Sequence, residues 1–459
     1  MMVGDAELPV IHENVQLKKN RILNSLNHLK TNEELSLRRR AAEIFSNSVA
    51  FTSDFDEHLQ KKIVSGIYKI MKKSDEDLMV LSQILTLLKN LAEKCSILIH
   101  LLLPMNITKL LAHQARYSSF HGIRDLCVQI LGNFASCCFE CQKSVSKTTA
   151  SITILEALEK NWDALTLIQQ ILYSRALKNI FRPTGTDSEL VVITIGSKGQ
   201  MMDVIKKLVT LPSPNEAIFN GLTVLHEWMD GKIDVCDTVT NDDVLMTRLL
   251  QIIDIDEDTG ETVACAIQIV GELAFSDDLI AKKIFDFGFC DVIETKLISS
   301  NGTPYEQSML WCLSNILGMR EFPIANKIIE REELWEKLVQ YCYSYDTLIR
   351  REAIFCVLNA ASNFKGHAKD EMYREFFGRL LIDTVEGFTI ESDVSMIQVL
   401  GAVLYHIKCD LKQYCDQYRD LIAKHQLDKA VENRILWIQN ALQTFDLTEN
   451  GRKEMHKLF

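Results

Sequence analysis

A short helical motif recurs along this chain at nearly constant intervals, and this spacing restricts the possible folds more than any other feature of the sequence. The copies end at residues 90, 133, 179, 227, 272, 315, 359 and 405, so that successive copies lie 43 to 48 residues apart. In each copy a run of mostly apolar residues leads to one polar or aromatic residue, which is Asn in five copies. A period of this length indicates repeated supersecondary units that stack on one another to bury their apolar sides.

The composition of the chain favours helices. With 459 residues the chain is longer than a single ordinary core allows, and 47% of its residues are hydrophobic. Only 7 Pro and 19 Gly are present, too few for the turns of a sheet-rich protein. A repeat period in the mid-forties is typical of armadillo and HEAT proteins. We therefore predict an all-α fold, an armadillo-repeat right-handed superhelical solenoid of about eight to nine repeats.

The repeat that ends near residue 318 shows the internal plan most clearly. Apolar periodicity predicts three helices, over 279–287, 291–298 and 305–317, and Ser276, Asp277 or Asp278 can cap the first. Gly288 permits a sharp turn between the first two helices, and the sequence Asn-Gly-Thr-Pro at 301–304 separates the second from the third. Three helices per repeat favour the armadillo plan over the HEAT plan.

The third helix of this repeat has two faces with different chemistry. Trp311 and Asn315 are four residues apart, so they lie one turn apart on a face that the apolar stripe does not use. An aromatic ring beside a carboxamide is suited to holding an extended peptide. The amide bonds the peptide backbone, and the ring packs along the stems of Lys or Arg. The stripe predicted to enter the core consists of Met309, Leu313, Ile316 and Leu317.

Four segments can be distinguished along the chain. We expect residues 1–14 to be disordered, residues 15–55 to form a basic helical segment, residues 56–445 to form the repeats, and residues 446–459 to be a polar tail. The basic segment contains the triplet Arg38-Arg39-Arg40, the most concentrated positive charge in the chain. Such a triplet is either a solvated helix face or a docking segment for an acidic partner.

Charge and motif content disfavour several classes of function. The net charge of −12 argues against a non-specific nucleic-acid binder, which needs a cationic face. The first residues contain no apolar signal region, and no apolar run is long enough to span a bilayer. Phosphate-binding loops, paired zinc-binding histidines on a helix and nucleophile elbows are also missing. We therefore predict a binding protein of the cytoplasm and nucleus, with no enzymatic activity and no binding to membranes or nucleic acid.

The 13 cysteines have no regular spacing along the chain, which predicts reduced thiols in a cytosolic or nuclear protein. The densest group is Cys137, Cys138 and Cys141. A tetrahedral metal site would need a fourth ligand, and no suitable residue is nearby in the sequence. We predict that these are structural thiols, and we expect neither a bound metal nor a cofactor.

The third-helix motif resembles that of the importin-α (karyopherin-α) family. In that family the helix reads Trp-Ala-Leu-Ser-Asn-Ile or close to it, and the sequence Leu-Trp-Cys-Leu-Ser-Asn-Ile at 310–316 is similar. The sequences Leu-Gly-Asn-Phe-Ala at 131–135 and Leu-Lys-Asn-Ile at 177–180 match in part. The order of parts is also similar, since the basic segment precedes the repeats as the family's importin-β-binding segment does.

The resemblance implies an adaptor that binds nuclear-localisation-signal cargo for import into the nucleus, as a monomer or transient heterodimer. Basic signal peptides would lie in a groove, and importin-β would bind the basic segment. The implied groove residues are Asn90, Asn133, Asn179, Glu227, Glu272, Trp311, Asn315, Phe355 and Asn359. The implied importin-β contacts are Lys18, Lys19, Arg21, Arg38, Arg39 and Arg40.

The chain departs from the family at the aromatic positions of the groove. Four residues before each groove Asn or Glu, the family has Trp, but the first five copies here hold Thr86, Gln129, Arg175, Thr223 and Gln268. We therefore expect weakened or altered signal specificity, with Trp311 and Phe355 as the remaining aromatic walls. The alternative is an armadillo scaffold that no longer binds basic signals, in which each Asn only satisfies neighbouring backbone groups.

Overall fold

A computed structural model describes residues 15–363, apart from the short segments 31–32, 51–55, 74–75, 95, 183–197, 211–212, 231, 255–259, 300–301, 303–304 and 320–323. The expected disordered start, the motif copy ending at residue 405 and the polar tail lie outside the described residues. Throughout the described ranges the regular secondary structure is helical, which confirms the all-α prediction.

Twenty-one α-helices are described, along with short 3₁₀ turns at Leu103–Met105 and Trp162–Ala164. In chain order, the first eleven are α1 (Val15–His28), α2 (Leu35–Ala50), α3 (Glu57–Lys72), α4 (Leu78–Glu93), α5 (Ile97–Leu102), α6 (Ile107–Tyr117), α7 (His121–Cys137), α8 (Phe139–Ser146), α9 (Ala150–Lys160), α10 (Leu167–Phe181) and α11 (Lys198–Thr210). The remaining ten are α12 (Asn215–Met229), α13 (Ile233–Thr240), α14 (Asp243–Asp254), α15 (Gly260–Ser276), α16 (Asp278–Asp286), α17 (Phe289–Ser299), α18 (Glu306–Leu317), α19 (Ile324–Ile329), α20 (Glu332–Tyr341) and α21 (Thr347–Asn363).

The chain forms two compact units, Met1–Asp230 and Gly231–Phe459. In the first unit, α2, α4, α7, α10 and α12 pack one against the next. In the second unit, α15, α18 and α21 do the same. We call these eight elements the stack helices. Two shorter helices usually connect successive stack helices, as α8 and α9 do before α10, and this three-helix repeat is the armadillo plan.

The repeat that ends near residue 318 follows the sequence-based expectation closely. Its helices are α16, α17 and α18, each within two residues of the predicted bounds. Asp277 caps α16 by accepting a hydrogen bond from the backbone N–H of Leu279 at 2.8 Å. Gly288 has φ of +96°, a conformation that strains any residue with a side chain, so the turn depends on glycine.

The core of the second unit is built from the apolar stripe of each stack helix. The four stripe residues predicted for α18 are all fully buried, and burying each contributes about 1.5–3 kcal/mol. Leu310 and Cys312 are also fully buried, so the buried face of α18 is wider than the stripe alone. Only a narrow strip of this helix, which includes Trp311 and Asn315, keeps partial contact with solvent.

The basic segment belongs to the packed part of the first unit. Helix α1 packs against α2 and α3, and α2 packs against α4 as the first of the stack helices. The side chains of Ile22, Ala42, Phe45 and Val49 are fully buried. The apolar faces of α1 and α2 therefore extend the core of the repeats toward the N-terminus.

No helix among those described has both the length and the hydropathy that a membrane-spanning segment requires.

Candidate functional site

The seven groove positions that close the described copies of the motif lie at equivalent places on consecutive stack helices. We call them the ladder positions: Asn90, Asn133, Asn179, Glu227, Glu272, Asn315 and Asn359. Those on α4, α7, α10 and α12 belong to the first unit, and those on α15, α18 and α21 belong to the second. All seven side chains are half-buried, so they are neither core residues nor fully solvated.

Three of the ladder carboxamides make the same contact with the preceding stack helix. Asn179 donates from Nδ2 to the carbonyl oxygen of Gly132 at 3.2 Å. Asn315 donates to the carbonyl oxygen of Gly271 at 3.0 Å. Asn359 donates to the carbonyl oxygen of Ser314 at 2.9 Å and lies 3.1 Å from its hydroxyl oxygen. In each case the acceptor comes immediately before the ladder position of the preceding helix, so one contact recurs from repeat to repeat.

Small residues at the acceptor positions let neighbouring stack helices come close together. A Cβ atom added at Gly132 would lie 2.9 Å from the Cα atom of Ala176 on α10. Such a distance is far below ordinary van der Waals contact, so the two helix backbones approach each other at this point. The close approach brings the carbonyl within reach of the short Asn179 side chain.

The recurrent contact fixes the orientation of each carboxamide group. It uses one N–H of Asn179 and of Asn315, whereas Nδ2 of Asn359 donates to both the carbonyl and the hydroxyl oxygen of Ser314. A carboxamide has two N–H donors and an oxygen that can accept twice. Among the described residues, the Oδ1 atoms of Asn179, Asn315 and Asn359 accept no hydrogen bond. Each amide therefore presents an oriented acceptor that no described side chain or backbone group uses.

The other ladder positions differ from this pattern. Asn133 donates at 3.4 Å to Oε1 of Glu93, an exposed carboxylate at the end of α4. Asn90 makes no hydrogen bond with the described residues. Glu227 and Glu272 carry a carboxylate in place of the amide donors, so they cannot donate to the preceding helix. The contact is therefore continuous between α15, α18 and α21, but it is interrupted in the first unit.

Trp311 occupies space that the missing side chain of Gly271 leaves open. A Cβ atom added at Gly271 would lie 2.3 Å from Cζ3 and 2.6 Å from Cε3 of the indole ring. The edge of the ring therefore rests directly on the backbone of α15, and the side chain is half-buried. Trp311 and Asn315 thus contact the same residue of the preceding helix, one by packing and the other by a hydrogen bond.

The remaining wall positions, four residues before each ladder position, offer mixed chemistry. Phe355 on α21 is half-buried, as Trp311 is. The hydroxyl groups of Thr86 and Thr223 donate to carbonyl oxygens of their own helices at 2.9 and 2.8 Å. Exposed Arg175 donates from Nε to Oε1 of Glu216 at 2.8 Å, so part of its charge is compensated within the chain.

Phe275 is a candidate site residue that the sequence analysis missed. Its side chain is 78% exposed, which is unusual for an aromatic residue in a helix whose neighbours are largely buried. It lies three residues after Glu272 and seven after Gln268, so the three side chains follow one face of α15. Inspection of the residues one helical turn after each ladder position would have identified Phe275 from the sequence.

The cations implied for importin-β binding are placed in very different environments. Arg38 is 6% exposed and pairs with Oε1 of Glu76, whose side chain is also buried. Arg39 makes two hydrogen bonds to Asp77, at 3.0 and 2.8 Å, and Lys19 lies 2.7 Å from Asp56. The expectation of a solvated face is therefore wrong for Arg38. Lys19, Arg38 and Arg39 therefore pair with acidic residues of this chain. Of the other three cations, Lys18 is half-buried, and Arg21 and Arg40 are exposed.

The Arg39–Asp77 and Lys19–Asp56 pairs each lower the pKa of their carboxyl group. The hydrogen bond from Arg39 is the main reason that the pKa of Asp77 lies below its usual value of 3.8, although partial burial opposes the shift. The hydrogen bond from Lys19 similarly lowers the pKa of Asp56, with a further contribution from the backbone N–H of Leu59. Both carboxylates also cap helices, since Asp56 precedes α3 and Asp77 precedes α4.

A cavity of about 770 Å³ lies between α1 and α3, close to the basic segment. Most of its polar lining is cationic, and the exceptions include Glu76 near one end. A surface of this kind attracts anions at moderate ionic strength. The cationic side chains that line it are Lys30, Lys61, Lys62, Lys69 and Lys73.

Four potential metal ligands converge in the first unit. Their ligand atoms, three Sγ atoms and one ring nitrogen, all lie within 4.8 Å of one another. The expectation that these cysteines lack a fourth ligand is wrong, because α5 brings a histidine from 37 residues upstream of the first of them. We call this group the Cys/His cluster; its members are His100, Cys137, Cys138 and Cys141.

Comparisons with known proteins support the fold but not a family. No protein-family model matches the chain, and no curated protein matches it. The chain is similar to the crystal structure of an engineered protein, with 18% identity and a TM-score of 0.69, over 93% of this chain and 100% of that one. It is also similar to computationally designed armadillo repeat proteins for modular peptide recognition, with 14% identity and a TM-score of 0.47, over 55% of this chain and 99% of that one. The first likeness shows that this chain shares the fold of that engineered protein.

Proposed function

We propose that this chain is an armadillo-repeat scaffold that holds an extended segment of a partner protein along the stack helices of its second unit. The observation that carries the proposal is the repeated orientation of Asn315 and Asn359. Both amides are fixed by the same contact one repeat apart, and both keep an acceptor that the described residues do not use. Arrays of oriented polar groups bind well because little entropy is lost when the ligand arrives.

The spacing of the stack helices suits an extended chain. Packed helices lie about 8–10 Å apart, and an extended peptide advances about 3.3 Å per residue. Amides on neighbouring stack helices would therefore meet peptide groups about three residues apart. Each amide can accept from a peptide N–H through Oδ1, and Asn315 can also donate its second N–H to a peptide carbonyl. Each hydrogen bond contributes a net of about 0.5–1.5 kcal/mol. The hydrogen bonds from two such amides would therefore raise the affinity for the peptide roughly tenfold or more.

The side chains around the ladder indicate the chemistry of the partner segment. Trp311, Phe355 and the exposed Phe275 supply aromatic surface, and Glu272 supplies a carboxylate. Aromatic rings pack well against apolar side chains and against the stems of Lys or Arg, the latter at about 0.5–1 kcal/mol for each exposed cation–π contact. The arrangement favours a segment that alternates small residues with apolar or long basic ones.

A nuclear-import adaptor is the narrower candidate within this proposal. It is favoured by the repetition of aromatic and amide groups four residues apart, first at Trp311 and Asn315 and then at Phe355 and Asn359. Binding of a basic nuclear-localisation signal at these positions would imply work in both the cytoplasm and the nucleus. The non-aromatic wall positions of the first unit imply weaker binding than a full set of Trp walls would provide.

Recruitment of importin-β is a further proposal that depends on the basic segment. An acidic partner would have to compete with Glu76 and Asp77 for Arg38 and Arg39. Retention of the full-length chain on immobilised importin-β would support recruitment, and it should strengthen in an Asp77→Asn variant, which frees the exposed Arg39. If neither the natural chain nor the variant is retained, this part of the proposal is wrong.

Two titrations test the binding proposal with the full-length chain. The first uses a fluorescently labelled bipartite basic peptide, and the second uses peptides selected on the chain from a display library of unstructured sequences. We expect Asn315→Ala and Asn359→Ala each to lower the affinity for the selected peptides about three- to tenfold, since each removes the hydrogen bonds of one ladder amide. Trp311→Ala should weaken them by a similar factor.

Control substitutions distinguish a specific loss of peptide binding from a general loss of stability. Asn90→Ala removes an amide that lacks the recurrent contact, and Trp335→Phe changes a tryptophan of α20, which is not a stack helix. Neither should alter binding of peptides held by the second unit. If selected peptides bind all these variants equally, the ladder is not the binding site. If selected peptides bind and the basic peptide does not, the scaffold proposal stands and the nuclear-import candidate fails.

A further inference from the structure

The Cys/His cluster is assembled from two consecutive repeats. His100 lies on α5, which opens the repeat that ends with stack helix α7. The three cysteines lie at the junction between α7 and α8, where the next repeat begins. The two parts therefore meet between the first helices of neighbouring repeats, well separated in sequence from the ladder positions of the second unit.

Two of the three cysteines of this cluster differ from the other described cysteines in burial. Eight of the ten described cysteines are buried, as expected for thiols that only fill a core. Cys137 and Cys138 are the two that remain half-buried, and both belong to the cluster. A thiol that is partly exposed, beside two other thiols and an imidazole, is better explained as a ligand than as packing.

The local backbone holds two of the sulfur atoms in place. Cys138 has extended backbone angles between α7 and α8, and its Sγ atom accepts a hydrogen bond from the N–H of Cys141 at 3.4 Å. The sequence Cys-Phe-Glu-Cys over 138–141 thus forms a turn that directs both side chains to one side. Both residues lie at the N-terminal end of α8, where the chain enters that helix.

The histidine completes the set of donors. His100 is exposed on α5, while the adjacent residues Ile99 and Leu102 are fully buried and anchor this short helix. Its ring makes no hydrogen bond or ion pair with the described residues, so nothing else in that part of the chain explains its position beside the thiols. The maximum separation of 4.8 Å among the four ligand atoms allows them to close around one ion at metal–ligand distances of about 2.0–2.3 Å.

We propose that the Cys/His cluster binds one zinc ion. Three thiolates and one imidazole are a donor set that favours zinc in tetrahedral geometry, and four protein ligands leave no open position for catalysis. The ion joins α5 to the junction of α7 and α8, and so links two consecutive repeats of the first unit. Binding requires loss of the thiol protons, which are released to solvent as the ion enters.

Metal analysis and cobalt substitution test this assignment on the full-length chain. The protein is purified in reducing buffer without a metal-affinity step, and its metals are measured by mass spectrometry. The chelator-treated protein is then titrated with Co²⁺ and afterwards with Zn²⁺, while the visible absorption is recorded. We expect about one zinc per chain as isolated, intense absorption typical of tetrahedral cobalt with sulfur ligands, and its loss when zinc displaces cobalt.

Substitutions test whether the cobalt absorption comes from the Cys/His cluster. Cys138→Ser should abolish the thiolate–cobalt absorption, and His100→Asn, which changes an exposed side chain, should weaken metal binding by more than about tenfold. Cys265→Ser and His58→Asn alter residues outside the cluster and should leave the stoichiometry unchanged. The assignment is overturned if the natural protein takes up no stoichiometric metal in either experiment. Equal cobalt binding by Cys138→Ser, or a Cys138–Cys141 disulfide in the reduced preparation, would overturn it as well.

Discussion

Asn315 donates a hydrogen bond from its Nδ2 atom to the backbone carbonyl of Gly271, 3.0 Å away on the preceding stack helix. The indole ring of Trp311 rests on the same glycine. The two residues that form the most recognisable part of the repeat motif therefore share one neighbour. A change at Gly271 acts on both of them, although this glycine lies 40 residues or more before either one.

Replacing Gly271 by Ala should displace the Trp311 ring. The new Cβ atom would lie 2.3 Å from the indole, and overpacking of this kind costs about 1–3 kcal/mol, against about 0.5–1 kcal/mol gained from better helix propensity. We expect a net loss of about 1–2 kcal/mol in the free energy of unfolding, measured by chemical denaturation. Gly122→Ala is the control, since nothing lies within 4 Å of its new Cβ atom. Combining Gly271→Ala with Trp311→Ala should cost less than the sum of the two single changes.

The amide contact between repeats can be measured by comparing two asparagines. Asn315→Ala removes a donor and leaves the Gly271 carbonyl without this partner, at a cost of about 1 kcal/mol in stability. Asn90→Ala removes an equally half-buried amide that has no such contact, and it should change stability by less than about 0.5 kcal/mol. Thermal unfolding of the two variants gives the comparison. Equal destabilisation would show that the contact between repeats contributes nothing of its own.

Breaking the buried ion pair between Arg38 and Glu76 should greatly lower the free energy of unfolding, whereas replacing both residues by apolar ones should lower it little. Arg38→Ala leaves the Glu76 carboxylate buried, with Lys73 at 3.8 Å as a remaining cation, so we expect a loss of about 3 kcal/mol in unfolding free energy. The double change Arg38→Met with Glu76→Leu should recover most of this loss, because no charge is then buried. Exposed Arg40→Ala should have almost no effect. A small loss in Arg38→Ala would mean that the pair is open to water in solution.

Acid should remove the contribution of the Asp77 carboxylate to stability. Its pKa is lowered in the folded protein by Arg39, so the ion pair stabilises the fold above the usual carboxyl pKa of 3.8. That contribution is lost as the pH falls below 3.8 and through the lower folded value. Asp77→Asn keeps a residue that can cap α4 but removes the charge. The thermal midpoints of the natural chain and this variant should therefore differ near neutral pH and converge below pH 3.8.

Asp203→Asn is the control for this pH experiment. Asp203 is exposed on α11 and makes no ion pair with the described residues. The difference between Asp203→Asn and the natural chain should stay small throughout the titration. A difference for Asp77→Asn that persists unchanged at low pH would show that the substitution acts through the helix cap and not through charge.

The fold was predictable because it depends on local, repeated signals. Apolar periodicity gave the three helices of the repeat ending near residue 318, and Gly288 marked the turn between two of them. The prediction of the buried stripe of α18 was correct for the same reason, since side chains three or four residues apart on a helix lie on the same face. Such signals lie within about forty residues and need no knowledge of tertiary contacts.

The details of the site depend on contacts between repeats, which spacing alone does not reveal. The phase of Trp311 separated it from the core stripe, but its actual support is Gly271 in the previous repeat. The fourth member of the Cys/His cluster was missed because His100 becomes a neighbour only when two repeats stack. Likewise, the acidic partners of Arg38 and Arg39 lie 38 residues away in the sequence, immediately before the next stack helix, α4.

The position of α2 as the first stack helix has a practical consequence for work with fragments. The flank of α4 that faces the start of the chain is covered by this helix. A truncated protein that begins at residue 56, where sequence spacing alone places the start of the repeats, would expose that flank to water and promote aggregation. Fragments for crystallisation should therefore begin upstream of α1, so that α1 and α2 remain packed on the first repeat.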